Sequence, residues 1–421
     1  MTTTDVSGEW TFPESHLDEF LAPRPQRRIL ALDGGGIRGI LTIAILKEVE
    51  TQIRSANPHR PGLVLRDYFD FIGGTSTGAI IATALSLGMS ADEVEKLYRN
   101  IGPRLFARAW RIPIVGAAVR FLSNEYRDEP LAKELKHVTS MCDLGSDRLK
   151  NLLLAVTRNA TTDSPWPLTN NPRARYNRVD RAGCNLKLPL WQIIRASAAA
   201  PHYFPPEQVM IDDKMFSFVD GGITPYNNPA FLMYRMTTHP SFRLEWPTGE
   251  DRMMLVSVGT GSAPELMKLG DRQSWLWQYG PKIPSAMMYA MSVDQDISCR
   301  TVGRCVHGDV LDQEMNSLMP FERSANPDEW GPPILTSTPL GRAFLYARYN
   351  VELTERGLSG LGLDGTKSSS MRKLDAVDMI NDLFEAGRLA AKRDVNLWNQ
   401  FPNFLTPMHL RASANLNQTK I

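Results

Sequence analysis

A serine flanked by small residues lies where an apolar run gives way to a helix-like run. Residues 74–78 read Gly-Thr-Ser-Thr-Gly, which fits the pattern G-x-S-x-G with Ser76 at its centre. A nucleophile on a sharp strand-to-helix turn needs neighbours such as Gly74 and Gly78, because a Cβ would clash there. The amino terminus of the following helix places partial positive charge near the serine oxygen. The spacing predicts a nucleophilic Ser76, while a plain structural turn fits these five residues equally well.

A serine nucleophile needs a general base, and histidine is the usual one. The chain has seven histidines, and none of them follows a strand-like run as a triad histidine would. Asp220 is the better candidate, because it directly follows the apolar residues 216–219 and precedes Gly221 and Gly222. Strand ends of an α/β sheet meet at one edge, so we expect its carboxylate beside Ser76. The alternative is an ordinary Asp-Gly turn.

Three consecutive glycines form a third candidate feature. Gly34, Gly35 and Gly36 follow the apolar residues 28–32 and precede Arg38. Successive N–H groups in such a loop can point into one concavity and bind an oxyanion. We therefore expect Gly34, Gly35 and Gly36 to form an oxyanion hole, with the charge of Arg38 at its rim.

The same loop also satisfies the dinucleotide pattern G-x-G-x-x-G, at Gly34, Gly36 and Gly39. That fingerprint requires an acidic residue at the end of a second strand, roughly 20 residues further on. Residues 50–57 continue a helical pattern instead, which disfavours NAD or FAD binding. A P-loop is excluded because residues 73–78 lack the Gly-Lys-Ser/Thr ending.

The elements that must position these residues alternate between strand and helix patterns. Strand-like runs and the helical patterns between them predict an α/β fold with a mainly parallel central sheet flanked by helices. The strand-like runs cover residues 28–32, 68–72, 151–157, 216–219 and 253–258. We expect an N-terminal arm at residues 1–27, a catalytic domain at 28–262 and a mostly helical region at 263–421 packed on the core. Helices are predicted there at residues 286–297 and 375–397.

Composition excludes several classes of protein. The 421 residues carry a net charge of +1, so no global basic field indicates DNA or RNA binding. The four cysteines form no CxxC pair, which argues against a disulfide framework or a zinc site. Residues 1–28 do not resemble a signal peptide, and no run approaches the roughly 18 to 20 apolar residues that span a bilayer. We therefore expect a cytoplasmic protein.

Taken in order, these motifs resemble those of the patatin-like phospholipase family. The resemblance covers about residues 28–262, and its pieces are residues 33–39, 74–78, 195–201, 203–206, 220–222, 227–229 and 257–261. It implies a three-layer fold and a Ser76–Asp220 dyad without histidine, metal or organic cofactor. It also implies phospholipid as substrate, and therefore transient association with the inner face of the membrane.

The chain further resembles bacterial patatin-like effectors of antiphage (CBASS) defence, which are switched on by a cyclic di- or trinucleotide. Aromatic and basic residues after the core are candidates for stacking bases and holding phosphates. They are Trp275, Trp277, Tyr279, Arg300 and Arg304. Core packing and solvated charge are the alternative for these residues. A ligand-switched effector would suit a homo-oligomer.

Two other functions remain open at this point. One is a constitutive lysophospholipase or esterase, and the other is a catalytically silent nucleotide-binding sensor. Residues 104–115 alternate basic and bulky apolar side chains, as interfacial membrane segments do. A lid helix that packs inward fits that segment as well.

Overall fold

The computed structural model describes residues 15–106, 129–201, 204–262, 283–311, 341–365 and 368–405. Within these ranges nine strands form one sheet. The strands are β1 Arg27–Leu32, β2 Phe71–Thr75, β3 Leu152–Asn159, β4 Ser164–Thr169, β5 Glu207–Ile211, β6 Lys214–Asp220, β7 Met253–Val258, β8 Arg304–His307 and β9 Leu345–Tyr349. Their order is β5-β6-β3-β2-β1-β7-β9-β8, and β4 also pairs with β3.

The central part of this sheet is parallel. Strands β3, β2, β1, β7, β9 and β8 run in the same direction. Strands β4 and β6 pair antiparallel with β3, and β5 pairs antiparallel with β6. The prediction of a mainly parallel central sheet is therefore confirmed.

Helices cover both faces of the sheet, which explains why β1, β2 and β7 are buried along their whole length. Alternate residues of β1 belong to different hydrophobic clusters, with Leu30 and Leu32 on one face and Ile29 and Ala31 on the other. The α-helices are Asp18–Leu21, Gly39–Ala56, Leu65–Tyr68, Thr77–Ser86, Ala91–Phe106, Glu129–Thr139, Leu190–Ser197, Ala230–Thr238, Ile283–Val302, Glu355–Ser359, Ser368–Met371, Ile380–Asp394, Leu397–Gln400 and Pro402–Leu405. The result is the three-layer architecture expected.

The two faces recruit helices from distant parts of the chain. Helix Gly39–Ala56 packs between the sheet and Ile380–Asp394 on one face, while Ala230–Thr238 packs between β1 and Ile283–Val302 on the other. Both long helices predicted after residue 262 are present, with slightly different ends. The C-terminal region thus supplies a layer to each face of the core.

The C-terminal region also contributes two strands that the sequence pattern did not predict. Strand β9 pairs with β7 on one side and with the edge strand β8 on the other. The run Leu345–Tyr349 is buried and includes an arginine, Arg348. At the other end of the chain, Leu17, Phe20 and Leu21 of the expected N-terminal arm are buried.

No helix in the described ranges combines the length and apolar character needed to cross a bilayer.

Candidate active site

Ser76 lies on a strained turn between β2 and helix Thr77–Ser86. Its backbone has φ +54° and ψ −121°, a conformation that residues with a Cβ rarely adopt. A Cβ on Gly74 would lie 2.1 Å from the carbonyl carbon of Gly78, and one on Gly78 would lie 2.3 Å from the carbonyl oxygen of Leu32. The turn therefore requires glycine at both flanking positions, as the sequence pattern predicts.

The sheet register brings Ser76 and Asp220 to the same edge. Thr75 pairs with Val156, and the next residue of β3, Thr157, pairs with Asp220. The hydroxyl of Ser76 donates a hydrogen bond of 2.7 Å to Oδ2 of Asp220. A hydroxyl and a carboxylate at this distance can exchange a proton directly.

The carboxylate of Asp220 is buried and held in place at both oxygens. Oδ1 accepts a 2.6 Å hydrogen bond from the N–H of Gly222, while Oδ2 faces Ser76. Burial raises the pKa of Asp220 to about 6, and the hydrogen bonds from Ser76 and Gly222 oppose that rise. The group is therefore ionised at neutral pH and more basic than an exposed aspartate.

Ser197, at the end of helix Leu190–Ser197, fixes the nucleophile turn from behind. Its hydroxyl oxygen accepts a 2.9 Å hydrogen bond from the N–H of Ser76. The same hydroxyl donates a 2.6 Å hydrogen bond to the carbonyl of Val156 in β3. Ser197 thereby connects the main chain of Ser76 to the neighbouring strand.

Gly34 lies against the nucleophile. A Cβ built on it would be 3.3 Å from Cβ of Ser76 and 2.5 Å from Oδ1 of Asn227, so the close approach requires glycine. The N–H of Gly34 donates to the carbonyl of Asn227 at 3.1 Å. Because this N–H already has a hydrogen-bond acceptor, Gly34 is not an oxyanion donor. The remaining candidate donors in the loop are Gly35 and Gly36.

Hydrogen bonds fix the carbonyl groups of Gly34 and Gly35, and the N–H groups that follow them in the chain point the opposite way. The carbonyl of Gly34 accepts from the hydroxyl of Thr260 at 2.9 Å, and that of Gly35 accepts from the N–H of Arg38 at 3.2 Å. A trans peptide directs its N–H opposite its C=O. The N–H groups of Gly35 and Gly36 have no hydrogen-bond acceptor within the described ranges. They are therefore available to an anion.

Gly36 is anchored on its other side. Its carbonyl accepts hydrogen bonds from the hydroxyls of Thr77, at 2.9 Å, and Tyr98. Its φ of +57° is left-handed, and a Cβ there would lie 2.3 Å from the carbonyl oxygen of Leu374. That carbonyl also accepts the N–H of Ile37 at 2.8 Å. A segment near residue 374 thus braces the glycine loop.

Arg38 has a different place from the one expected. Its side chain is buried, and its Nε and Nη1 approach the carbonyls of Gly35 and Arg372 at 3.5 and 3.4 Å. The guanidinium thus bridges the glycine loop and the segment that braces it. Within the loop, the guanidinium contacts the carbonyl oxygen of Gly35, which points away from the N–H of Gly36.

The two arginines expected to bind a nucleotide form ion pairs. Arg300 is buried and donates through Nε and Nη2 to both carboxylate oxygens of Asp296 at 2.8 Å, and through Nη1 to the carbonyl of Asp309. Arg304 donates to a carboxylate oxygen of Glu250 at 3.0 Å and is partly exposed. This geometry gives Arg300 a structural role in place of the ligand contact expected.

Several sequence-based predictions fall outside the described residues. These are Trp275, Trp277, Tyr279 and the part of residues 104–115 that follows Phe106. The interpretations of these segments stay predictions.

The dinucleotide alternative is not supported. Residues 50–56 belong to helix Gly39–Ala56, and no strand ends among them. Glu50 is buried, accepts the N–H of Ala91 and pairs with Arg54. In the described part of the chain, no group of His, Cys, Asp or Glu side chains is arranged to hold a metal ion.

Sequence reasoning missed the roles of Ser197, Thr260, Asn227 and Arg348. The first three lie within motifs recognised in the sequence, but a motif does not say which neighbour each side chain contacts. Asn227 and Thr260 both hold Gly34. The carbonyl of Asn227 accepts the N–H of Gly34, and the hydroxyl of Thr260 donates to the carbonyl of Gly34. Arg348 gave no signal because nothing in its local pattern indicates a partner far away in the sequence.

Comparisons with known proteins identify related sequences. Residues 30–234 match a family model described as patatin-like phospholipase. A protein of Escherichia coli (strain TW11681) named cGAMP-activated phospholipase is 27% identical over 279 residues, covering 63% of this chain and 73% of its own length. A Vibrio cholerae protein of the same name is 30% identical over 285 residues, covering 65% and 75%. Patatin-17 of Solanum cardiophyllum is 29% identical over 260 residues, covering 57% and 62%.

Among solved structures, VipD from Legionella pneumophila matches with a TM-score of 0.32 and 14% identity, covering 86% of this chain and 67% of that chain. A similarity at this level supports no conclusion about activity.

Proposed function

Because the chain belongs to the patatin-like phospholipase family, we propose that it cleaves ester-linked fatty acid from membrane phospholipids with a Ser76–Asp220 dyad. The observation that carries this proposal is the 2.7 Å hydrogen bond from the Ser76 hydroxyl to Oδ2 of Asp220. The bond joins a strained, glycine-flanked serine to a buried carboxylate, which is the arrangement of an activated nucleophile and its base.

Acylation proceeds in two steps. The Ser76 oxygen attacks the ester carbonyl carbon while Asp220 takes the hydroxyl proton, and the carbonyl oxygen becomes an oxyanion held by the N–H groups of Gly35 and Gly36. The tetrahedral intermediate then collapses and breaks the bond to the glycerol oxygen. That oxygen leaves as an alcohol with the proton from Asp220, so the lysolipid departs and the fatty acyl group stays on Ser76.

Deacylation repeats the sequence with water as the nucleophile. Asp220 removes a proton from water as it attacks the acyl carbonyl, and the same two N–H groups hold the second oxyanion. Collapse returns the proton to the Ser76 oxygen and releases the fatty acid. No metal or organic cofactor enters either half of the reaction.

The raised pKa of Asp220 suits this double role. A carboxylate with a pKa of about 6 is ionised at neutral pH, yet holds a proton more firmly than an exposed aspartate would. The N–H of Gly222 also fixes the orientation of this base.

Fatty-acid release from mixed phospholipid vesicles tests this proposal. We expect wild-type protein to release fatty acid, and Ser76→Ala to lower the rate about 10³-fold or more without changing the melting temperature. Release at the wild-type rate by Ser76→Ala would rule out this nucleophile. Activity on lysolipids alone would favour the constitutive lysophospholipase.

We propose, second, that a cyclic oligonucleotide switches the enzyme on as part of antiviral defence. Support comes from two relatives that are named cGAMP-activated phospholipase, in Escherichia coli and Vibrio cholerae. We expect low basal release of fatty acid and a rise on addition of cGAMP. Equal rates with and without cGAMP and other cyclic di- and trinucleotides would leave a constitutive lipase. Ligand binding without hydrolysis in any condition would instead favour a silent sensor.

We propose further that the protein contacts the bilayer surface, because its substrate is membrane lipid, and that it forms a homo-oligomer, which suits a ligand-switched effector. Vesicle flotation and analytical ultracentrifugation, each with and without cGAMP, measure these two properties. Absence of vesicle binding in both conditions would contradict the membrane contact, and a monomer in both conditions would contradict the oligomer.

A further inference from the structure

A cavity of about 470 Å³ lies beside the glycine loop, at the carboxyl ends of three parallel strands. Gly34 lines it after β1, Thr260 after β7 and Asn350 after β9. The next strand in the chain, β2, lies on one side of β1, and β7 lies on the other side, so the strand order reverses at β1. Open α/β sheets bind ligands at such a reversal of strand order. Neither Ser76 nor Asp220 lines this cavity.

Arginine side chains line one part of the cavity. Arg356 and Arg372 line it, and neither forms an ion pair with any residue in the described ranges. Arg38, which interacts with the carboxylate of Asp33 and spans from the glycine loop to the carbonyl of Arg372, lines the cavity as well. Guanidinium groups in a cavity wall suit a phosphate.

A hydrogen-bond acceptor without a donor among the described residues lines another part of the cavity. The carboxylate of Asp309 receives no side-chain or main-chain donor from the described residues, and burial raises its pKa to about 6. The other acids lining the cavity differ, since Asp33 pairs with Arg348, Asp296 pairs with Arg300, and Glu352 accepts a hydrogen bond from the hydroxyl of Thr354. Unpartnered acceptors in a cavity call for a ligand that carries N–H or O–H groups.

Hydrogen bonds and close contacts connect the cavity wall to the oxyanion loop. The carbonyl of Leu374, which lines the cavity, accepts the N–H of Ile37 and lies against Gly36. Arg38 connects the carbonyl of Gly35 to that of Arg372. A ligand held by Arg372 would therefore bear on the segment that sets the position of the Gly35 and Gly36 N–H groups.

We infer that this cavity binds a purine nucleotide, with its phosphate on the arginines and the donors of its base or ribose on Asp309. Tyr289 lines the same cavity and offers an aromatic face to the base. This inference rests on the proposed activation by a cyclic oligonucleotide and gives it a site. A nucleotide bound in the cavity fixes the position of the glycine loop. In this way it affects the catalytic step.

A soluble nucleotide fits this cavity better than the headgroup of the substrate does. The volume lies within the range of sites for drug-sized ligands and exceeds what a phosphoethanolamine group fills. The wall formed by residues 288–311 and 348–374 also lies outside residues 30–234, the part of the chain that the phospholipase family model matches. A headgroup subsite would be expected within the shared part.

Calorimetric titration of full-length Ser76→Ala protein tests the site without interference from hydrolysis. The probes are cGAMP, glycerophosphoethanolamine and inorganic phosphate. We expect saturable cGAMP binding that weakens about tenfold in Arg372→Ala and in Asp309→Asn, each made in the Ser76→Ala background. Matched controls are Arg388→Ala and Asp364→Asn, which replace an arginine and an aspartate that do not line the cavity.

The outcomes separate this inference from the proposed function. Absence of cGAMP binding, or binding that neither cavity variant weakens, would overturn the site. Preferential binding of glycerophosphoethanolamine through the same residues would also overturn it and identify a headgroup subsite. If Arg372→Ala does not fold, Tyr289→Leu gives the same test at a different wall. Binding is measured on a variant that does not hydrolyse lipid. Absence of hydrolysis by the wild type would therefore count against the dyad and not against the nucleotide site.

Discussion

The guanidinium of Arg348 in β9 donates to both carboxylate oxygens of Asp33, the residue that precedes the three glycines; Nη1 reaches Oδ1 at 2.8 Å. The two residues lie 315 positions apart, and both side chains are buried. Arg348 also donates to the hydroxyl of Ser257 in β7. The region after residue 262 therefore holds the start of the glycine loop that lies against Ser76.

Replacing Arg348 with methionine is expected to lower the free energy of unfolding by about 3–5 kcal/mol, because it leaves the Asp33 carboxylate buried without its partner. Urea denaturation measures the loss. Asp33→Asn should be costly for the same reason. The double variant should lose less than the two single losses added together, and simple additivity would show that the pair is not coupled.

The pH dependence of kcat/KM reports the ionisation of Asp220. Burial raises its pKa to about 6, so the base is ionised above that pH and protonated below it. We expect kcat/KM to fall tenfold per pH unit as the pH drops below about 6. Vesicles of constant composition and a check of folding at each pH isolate the effect. An acid limb near pH 4, typical of an exposed aspartate, would argue against the buried base.

Thr260 is predicted to position the oxyanion loop through its hydroxyl bond to the carbonyl of Gly34. Thr260→Val keeps the shape of the side chain and removes that bond, and we expect kcat to fall about ten- to hundredfold with little change in KM. Thr260→Ser retains a hydroxyl and should restore most of the rate. Equal activity in Thr260→Val and wild type would remove Thr260 from this role.

Ser197 is predicted to hold the nucleophile turn. Ser197→Ala leaves the N–H of Ser76 without its acceptor, which costs about 1–3 kcal/mol in unfolding free energy and lowers kcat. Ser86→Ala is the matched control, since the hydroxyl of Ser86 is buried and has no hydrogen-bond partner within the described residues. Similar effects from the two substitutions would indicate a general response to a lost buried hydroxyl.

The parts of the site that local sequence could predict are those set by strand ends and glycines. Ser76 and the glycine loop follow the parallel strands β2 and β1, so they meet at one edge of the sheet. Asp220 is the last residue of β6, which runs antiparallel to β3, and it reaches that edge because it pairs with Thr157. The contacts of Thr260 and Ser197 depend on side-chain directions that a motif does not specify. The place of Arg348 depends on the pairing of β9 with β7, which the residues near 348 do not specify.

The glycine loop illustrates the same limit within a single motif. Three glycines in a row predict a nest of N–H groups, yet the structure uses the first N–H to hold the loop against Asn227. Only the partner, which lies far away in sequence, distinguishes Gly34 from Gly35 and Gly36.

The most direct test of the dyad compares fatty-acid release from phospholipid vesicles by wild type, Ser76→Ala and Asp220→Asn, in the presence of cGAMP at pH 8. We predict release by the wild type only, with both variants folded and slower by about 10³-fold or more. Release by Asp220→Asn at a rate close to that of the wild type would contradict a mechanism in which this carboxylate is the base.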